Sequence, residues 1–366
     1  MNRARSAKIA GGALLGAVAL GTLSGARPMR KLDMPGPTSR ARDEARLDLN
    51  DDCVNCHGDI ADEWADSLHR HAYDDPMFAE ALDREARGLA FCRSCHAPEA
   101  DPRHEPDARR AALGVGCVGC HVVDGEILAG PGSAASGPGS TSSAPHALRR
   151  EAAFAGTAAC AGCHEFAFPG RRPGRALGMQ RTVGEHARSA ASEQSCQSCH
   201  MPPRAGADGR IHRGHDFAVV DEPRMLAAAA SISAERGPSS EPGTETVVVR
   251  LRPRALGHAF PTGDLFRRLL VRVEAEDGSW AEERYLSRHF AMERVGTGAG
   301  AIKVELADDR VGVGTEATEL RVLLPPALAD RPVRWRVVYQ RVLEAAPGSD
   351  RRAEVWDERE LAAGLL

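Results

Sequence analysis

The alternation of apolar and polar positions changes period about two thirds of the way along the chain. Over residues 59–73, Ile60, Trp64, Leu68 and His71 recur at i, i+4, i+8 and i+11, one stripe of an amphipathic helix. Residues 147–159 are compatible with a second helix. Beyond residue 244 the period is two. Val247/Val249/Leu251, Val271/Val273/Ala275, Ile302/Val304/Leu306, Leu320/Val322/Leu324 and Val333/Trp335/Val337/Tyr339 alternate with mostly polar neighbours, which predicts five half-buried antiparallel strands. Joined by short connections, they suggest a small β-sandwich. Residues 130–145 and 223–243 are rich in Gly, Ser, Ala and Pro and carry no period. The first reads as a flexible surface loop, the second as a linker between two domains.

At the N-terminus, Arg3, Arg5 and Lys8 precede an uncharged run, 9–23, and small Ser24 and Ala26 follow at the −3 and −1 positions of a cleavage site. Residues 1–26 therefore read as an export signal. The run has 15 residues, four of them glycine, whereas a membrane helix needs roughly 20 apolar residues. A cleaved peptide is the reading, with an uncleaved anchor as the alternative, and no later segment is long and apolar enough to span a bilayer. Residues 27–50 form a charged, proline-containing lead-in, expected to be mobile.

The chemistry lies between these segments. Cys92-Arg93-Ser94-Cys95-His96 is followed 25 residues on by Cys117-Val118-Gly119-Cys120-His121, and the Cys-x-x-Cys-His pattern recurs at 53–57, 160–164 and 196–200. Composition alone predicts about 0.01 chance copies of this haem-attachment pattern. The five copies use all ten cysteines. Two thiols separated by two residues can each form a thioether to one porphyrin, and the next residue then offers an imidazole to the iron. Cys53, Cys56, Cys92, Cys95, Cys117, Cys120, Cys160, Cys163, Cys196 and Cys199 are thus the expected attachment sites of five covalent haem c groups, with His57, His96, His121, His164 and His200 as proximal ligands. Four-cysteine zinc sites consume Cys-x-x-Cys pairs two at a time, which an odd number of pairs fits poorly. A disulfide framework gives no reason for five adjacent histidines.

The layout that follows is a signal at 1–26, a lead-in at 27–50, a pentahaem domain at 51–222, a linker at 223–243, a sandwich-like all-β domain at 244–345 and a C-terminal tail at 346–366. Aromatic residues make up only 4% of the chain, too few for an ordinary core around the haem region, so porphyrins are expected to supply the apolar bulk. That region is expected to be mainly α and irregular, wrapped on stacked haems with little sheet. Loss of the signal moves the formal net charge from −4 to −7 by removing three cations. Such a surface does not suggest nucleic acid or anionic lipid as a partner; it suits redox protein partners, including basic ones.

Glu63-Trp64-Ala65-Asp66-Ser67-Leu68-His69 resembles the Glu-Trp-x-x-Ser-x-His segment of multihaem cytochromes related to the nitrifiers' tetrahaem cytochrome and hydroxylamine oxidoreductase. Cys92–Pro98, Gly114-Val115-Gly116-Cys117 and the run from Cys196 to Pro202 are similar to segments of the same family, and the resemblance extends over roughly 53–263. It implies a distal haem ligand at His69, whereas periodicity favours His71. The reading goes to His69, because the cofactor and not helix amphipathy sets the direction of ligation. The resemblance further implies distal ligands at His146, after Pro145, and in the turn holding His212 and His215. His258, in Gly257-His258-Ala259-Phe260-Pro261-Thr262-Gly263, resembles a turn that follows the haem region in many multihaem cytochromes. Its Pro and Gly make a rigid turn from which a histidine reaches across to iron. Thr182-Val183-Gly184-Glu185-His186 departs from the family's Glu-Trp, so His186 is read as packing and not ligating. His104 and His289 are read as surface or structural.

Bis-histidine ligation closes both faces of an iron and favours electron transfer, so the first reading is an exported electron carrier acting between redox proteins. The alternative is an oxidoreductase acting on a small inorganic nitrogen or sulfur compound, which requires one five-coordinate haem.

Overall fold

The structure, a computed structural model, describes residues 44–84, 88–131, 146–167, 178–217, 223–294, 301–312, 317–343 and 353–366. The expected export signal, most of the lead-in, and the loop 132–145 with Pro145 lie outside the described residues. All described residues fall in one compact unit.

Up to residue 217 the chain is built of short helices: α1 (Glu44–Cys56), α2 (Gly58–Ala65), α3 (Pro76–Arg84), α4 (Leu89–His96), α5 (Ala108–Leu113), α6 (Cys117–His121), α7 (Ala158–His164), α8 (Thr182–His186) and α9 (Cys196–His200). Local signals keep them short. Helix α5 starts at Asp107, whose carboxylate accepts from the Arg110 amide at 2.9 Å, and stops at Gly114 with φ +56°. The stripe over 59–73 outruns its helix: α2 ends at Ala65, residues 66–74 continue as turns, and Leu68 and His71 are exposed. Ser67 is the reason. Its buried hydroxyl accepts from the Arg70 amide at 3.2 Å, replacing the acceptor a continuing helix would use.

The haem region carries more sheet than its sequence suggests. Strands β1 (Val122–Val123), β2 (Glu126–Ala129) and β3 (Arg149–Arg150) form one small sheet; β4 (Glu165–Ala167) pairs with β5 (Gly178–Arg181), and β6 (Pro203–Ala205) with β7 (Ile211–Arg213). At two to four residues each, they are too short for periodicity to reveal.

After α10 (Pro223–Ala229) come β8 (Ala230–Pro238), β9 (Glu245–Pro253), β10 (Arg267–Ala275), β11 (Ala281–Leu286), β12 (Arg288–Arg294), β13 (Ala301–Asp308), β14 (Thr318–Leu324), β15 (Val333–Val342) and β16 (Val355–Leu365). A four-stranded sheet in the order β11-β10-β15-β16 faces a three-stranded sheet in the order β14-β9-β8, all neighbours antiparallel. Val247, Val249 and Leu251 from one sheet and Leu269, Val271, Val273, Val333 and Val337 from the other share a core with no measurable exposure at any of these side chains. Period two predicted this inward face.

Three details correct the sequence reading. Residues 223–243 hold α10 and β8 and so are not merely a linker. Residues 355–365 of the expected tail form the edge strand β16, closed by the Val333–Leu366 backbone pair at 2.9 Å in both directions. Both strands are edges, where small or charged residues hide the strand pattern and guard against further pairing. Of the stripe Ile302/Val304/Leu306, Val304 and Leu306 do not join the core: among the described residues β13 pairs with β12 as a separate ribbon, and Leu306 is 67% exposed.

Polar contacts bind the haem region to the sheets. Buried Arg288 donates to the Gly178 and Met179 carbonyls at 2.7 and 3.1 Å and to Glu305 at 2.7 Å. Arg181 reaches Glu305 at 2.6 Å and Asp308 at 3.3 Å, while Met179 packs on Leu265 and Phe290.

Candidate haem sites

Each motif occupies the last turn of a short helix: α1 for the first, with His57 just beyond its end, then α4, α6, α7 and α9. Positions i, i+3 and i+4 share a helix face, so each turn presents both sulfurs and the imidazole to one side. None of the ten cysteines is in a disulfide. Thiols of different motifs meet two by two, Cys53 with Cys117, Cys95 with Cys163 and Cys160 with Cys196. In each pair one thiol, that of Cys117, Cys163 or Cys160, is pushed far above its ordinary value by its hydrogen bond to the other.

An imidazole nitrogen bonds a first-row metal at about 2 Å and lies about 1 Å from its ring centre, so two imidazoles sharing one metal have centroids about 6 Å apart. Every His–His ring contact among the described residues joins a motif histidine to a non-motif one at that spacing: His57–His146 at 6.3 Å, His164–His69 at 6.2 Å, His121–His215 at 6.2 Å and His200–His258 at 6.1 Å. His121 donates from Nδ1 to the Leu128 carbonyl at 3.0 Å, His215 to Arg213 at 2.7 Å and His258 to Ala259 at 2.9 Å. His96 does the same to Ala72. A ring whose Nδ1–H is held this way turns the lone pair of Nε2 outward, the tautomer an iron requires. Burial keeps these rings neutral, pushing His69 down to about 3 and His164 to about 4 and lowering His96, His121, His200, His215 and His258. The spacing of the four pairs fits haem, and so does the tautomer at His96, His121, His215 and His258, whereas at His164 the side-chain amide of Gln180 lies 2.8 Å from Nδ1.

The remaining histidines have other partners. His212, a ligand candidate from sequence, is not brought to a motif histidine; its Nε2 lies 3.1 Å from Glu63. His71 sits on Asp74 at 3.0 Å and His289 on Asp309 at 2.9 Å, and His104 is exposed. His186 is buried with Nδ1 2.8 Å from the Gly257 carbonyl and Nε2 2.9 Å from that of Gln194. Among the described residues no second histidine meets His96, and the Phe78 ring lies flat on it at 3.7 Å.

Other site residues had no assigned role in the sequence reading. Glu63 accepts the His215 amide at 2.8 Å as well as His212, and so holds the turn that carries His215. Trp64 donates to the Val115 carbonyl at 2.9 Å, and the Val115 amide donates to the His69 carbonyl at 2.8 Å. A Cβ at Gly114 would come within 2.3 Å of the Arg70 carbonyl oxygen, and one at Gly116 within 2.7 Å of Asn50. Gly114 thus lets the chain press against the His69 turn, and Gly116 lets it press against Asn50 of α1. Their presence in a family-like segment was the signal. Glu99 gave none: it is 3% exposed, accepts from Asn50 at 2.7 Å and the Gly119 amide at 3.2 Å, and burial still lifts its carboxyl to about 7.

The repeated motif turns and the histidine pairs that face them define a multihaem c-type cytochrome carrying covalently bound haem c. Residues 52–122, which hold the first three motifs, match the family described as Cytochrome c554 and c-prime. The fold is similar to the crystal structure of a penta-heme cytochrome c552 from Thermochromatium tepidum, with a TM-score of 0.63 and 20% sequence identity over 90% of this chain and 99% of that one. No curated protein matches the chain. Among the described residues no helix is long and apolar enough to cross a membrane.

Proposed function

We propose that the chain is an exported, periplasmic pentahaem carrier that passes electrons between redox proteins. The observation that carries this reading is the set of four histidine pairs at 6.1–6.3 Å, each of which places two imidazoles at the spacing of two ligands to one iron. His57/His146, His164/His69, His121/His215 and His200/His258 would hold four of the haem irons, two histidines to each. The haem supplies one-electron redox chemistry, and closure of both axial positions reserves it for outer-sphere transfer. The sulfur neighbours order the attachment sites: first beside third, and both second and fifth beside fourth. Cys120 lies close enough to Cys160 and Cys163 to act on them electrostatically, which joins the third site to the fourth. Five haems in one connected array agree with the five motifs and with the pentahaem character of the similar structure.

One observation favours the second reading, an oxidoreductase acting on a small inorganic nitrogen or sulfur compound. His96 has no histidine across from it, so the second haem is the one at which a five-coordinate iron is expected. Intact mass tests the count, and a value equivalent to four haems would defeat it. Electron paramagnetic resonance of the oxidised protein, with nitrite or hydroxylamine added, separates the readings. Four low-spin haems that ignore these ligands, with no steady turnover, support the carrier. A high-spin haem that binds one of them and turns it over establishes the enzyme.

A further inference from the structure

We infer that Glu185 and Arg310 form a clamp that holds His258 at the axial position of the fifth haem, so that closure of this iron depends on the sheet domain staying docked. The inference rests on the proposed His200/His258 pairing and adds the residues that enforce it.

His258 belongs to the sheet domain, His200 to the haem region, and the turn between β9 and β10 must be held against the latter for the two rings to meet. Consecutive residues of α8 grip that turn on either side of His258. Ahead of it, His186 lies 2.8 Å from the Gly257 carbonyl, while its other nitrogen lies 2.9 Å from Gln194, two residues before Cys196. Behind it, the Thr262 hydroxyl donates to Glu185 at 2.6 Å. A Cβ at Gly257 would press on the His186 ring at 3.3 Å, so the close approach favours glycine there.

Arg310 completes the grip from the other side. Its guanidinium donates to Glu185 at 2.6 Å and to the Pro261 carbonyl at 2.9 Å, and it forks onto Asp308 at 2.8 and 2.7 Å. The Arg310 and Glu185 side chains are 3% and 7% exposed. The next residue, Val311, exchanges backbone hydrogen bonds with Phe260 at 2.7 and 3.0 Å. A planar cation with this many directed donors fixes the turn in position and orientation; a lysine ammonium at the same place cannot reach all of these acceptors at once. Arg310 and Glu185 are thus positioning residues for a ligand that neither touches.

A distal histidine that leaves its iron part of the time lets an added ligand compete, and the apparent affinity rises in proportion to the open fraction. The haem-loaded full chain and its His258→Ala, Arg310→Lys and Thr262→Val variants are titrated with imidazole and followed by electron paramagnetic resonance of the oxidised protein. His258→Ala is expected to lose one low-spin signal, which imidazole restores. Arg310→Lys is expected to bind imidazole at the same haem about tenfold more tightly than the wild type, and Thr262→Val to shift the same way by a smaller factor. In the His258→Ala background Arg310→Lys should add nothing. If Arg310→Lys does not mature, Thr262→Val decides. The clamp is overturned if His258→Ala opens a haem while the clamp variants titrate like the wild type. An unchanged His258→Ala spectrum overturns the ligand pairing itself, and the clamp with it.

Discussion

The haem region and the sheet domain bury their apolar residues in different ways. The sandwich has one continuous core of Val, Leu, Phe, Trp and Tyr side chains, to which no residue before Leu226 contributes among the described residues. In the haem region the buried apolar side chains, such as Leu47, Met77, Phe91, Val118 and Leu128, are scattered and form no cluster of that kind. Helices of five to nine residues, such as α6, α9 and α3, are below the length at which a helix stands alone in water. The sheet domain is stabilised by its own side chains, and the haem region by what its side chains are arranged to hold.

The largest effect that would break this comparison is loss of the haems. Chain produced without haem attachment is expected to lose the helical signal in far-ultraviolet circular dichroism and to be cut by protease throughout 44–217, while the sheet domain keeps a cooperative β transition. Retention of the helices would mean that the haem region carries a core of its own.

Next is a cavity in the sandwich. Leu269 has no exposed surface, and Leu269→Ala should cost about 3 kcal/mol in denaturant unfolding of the sheet domain. The haem spectrum should not move, because the lost contacts lie inside a side-chain core.

A carboxyl in the haem region gives an effect of similar size with a pH signature. Burial raises Glu99 to about 7 in the folded chain, from its ordinary 4.5, which corresponds to about 3 kcal/mol. A raised acid binds its proton more tightly when folded, so this contribution is complete below about pH 4 and is lost as pH rises through 7. Glu99→Gln should flatten the fall in stability between these limits in pH-resolved melts. Its overall level should drop by about 1 kcal/mol, since an amide cannot accept from both Asn50 and Gly119.

The smallest effect sharpens the assignment of ligands. His215→Ala should convert one low-spin haem to high spin. His212→Ala should leave every haem signal in place and cost about 1 kcal/mol, the loss of a half-buried hydrogen bond to Glu63. A spectral change in His212→Ala alone would reverse the two roles.

Strands β9, β10, β14 and β15 were legible because their inward faces are unbroken rows of apolar side chains. β8 and β16 were not, because an edge strand is free to carry Ser, Glu and Arg on positions that an inner strand must fill with apolar side chains. The motif cysteines and histidines were legible from their spacing, whereas the roles of Glu63, Glu99 and Arg310 were not, since a charged residue acquires its role from burial and partners far along the chain.

The sequence by itself determined the local chemistry: five turns that place two sulfurs and an imidazole on one helix face, because that relation spans five residues and helix geometry enforces it. Tertiary structure alone decided which second histidine faces each turn. His57 meets His146, His164 meets His69, His121 meets His215 and His200 meets His258, partners 58 to 95 residues apart. It also separated His215 from His212, two candidates that the sequence left together in one turn. Two imidazoles can share an iron only by meeting in space, and over such separations that meeting is set by the packing of the intervening chain.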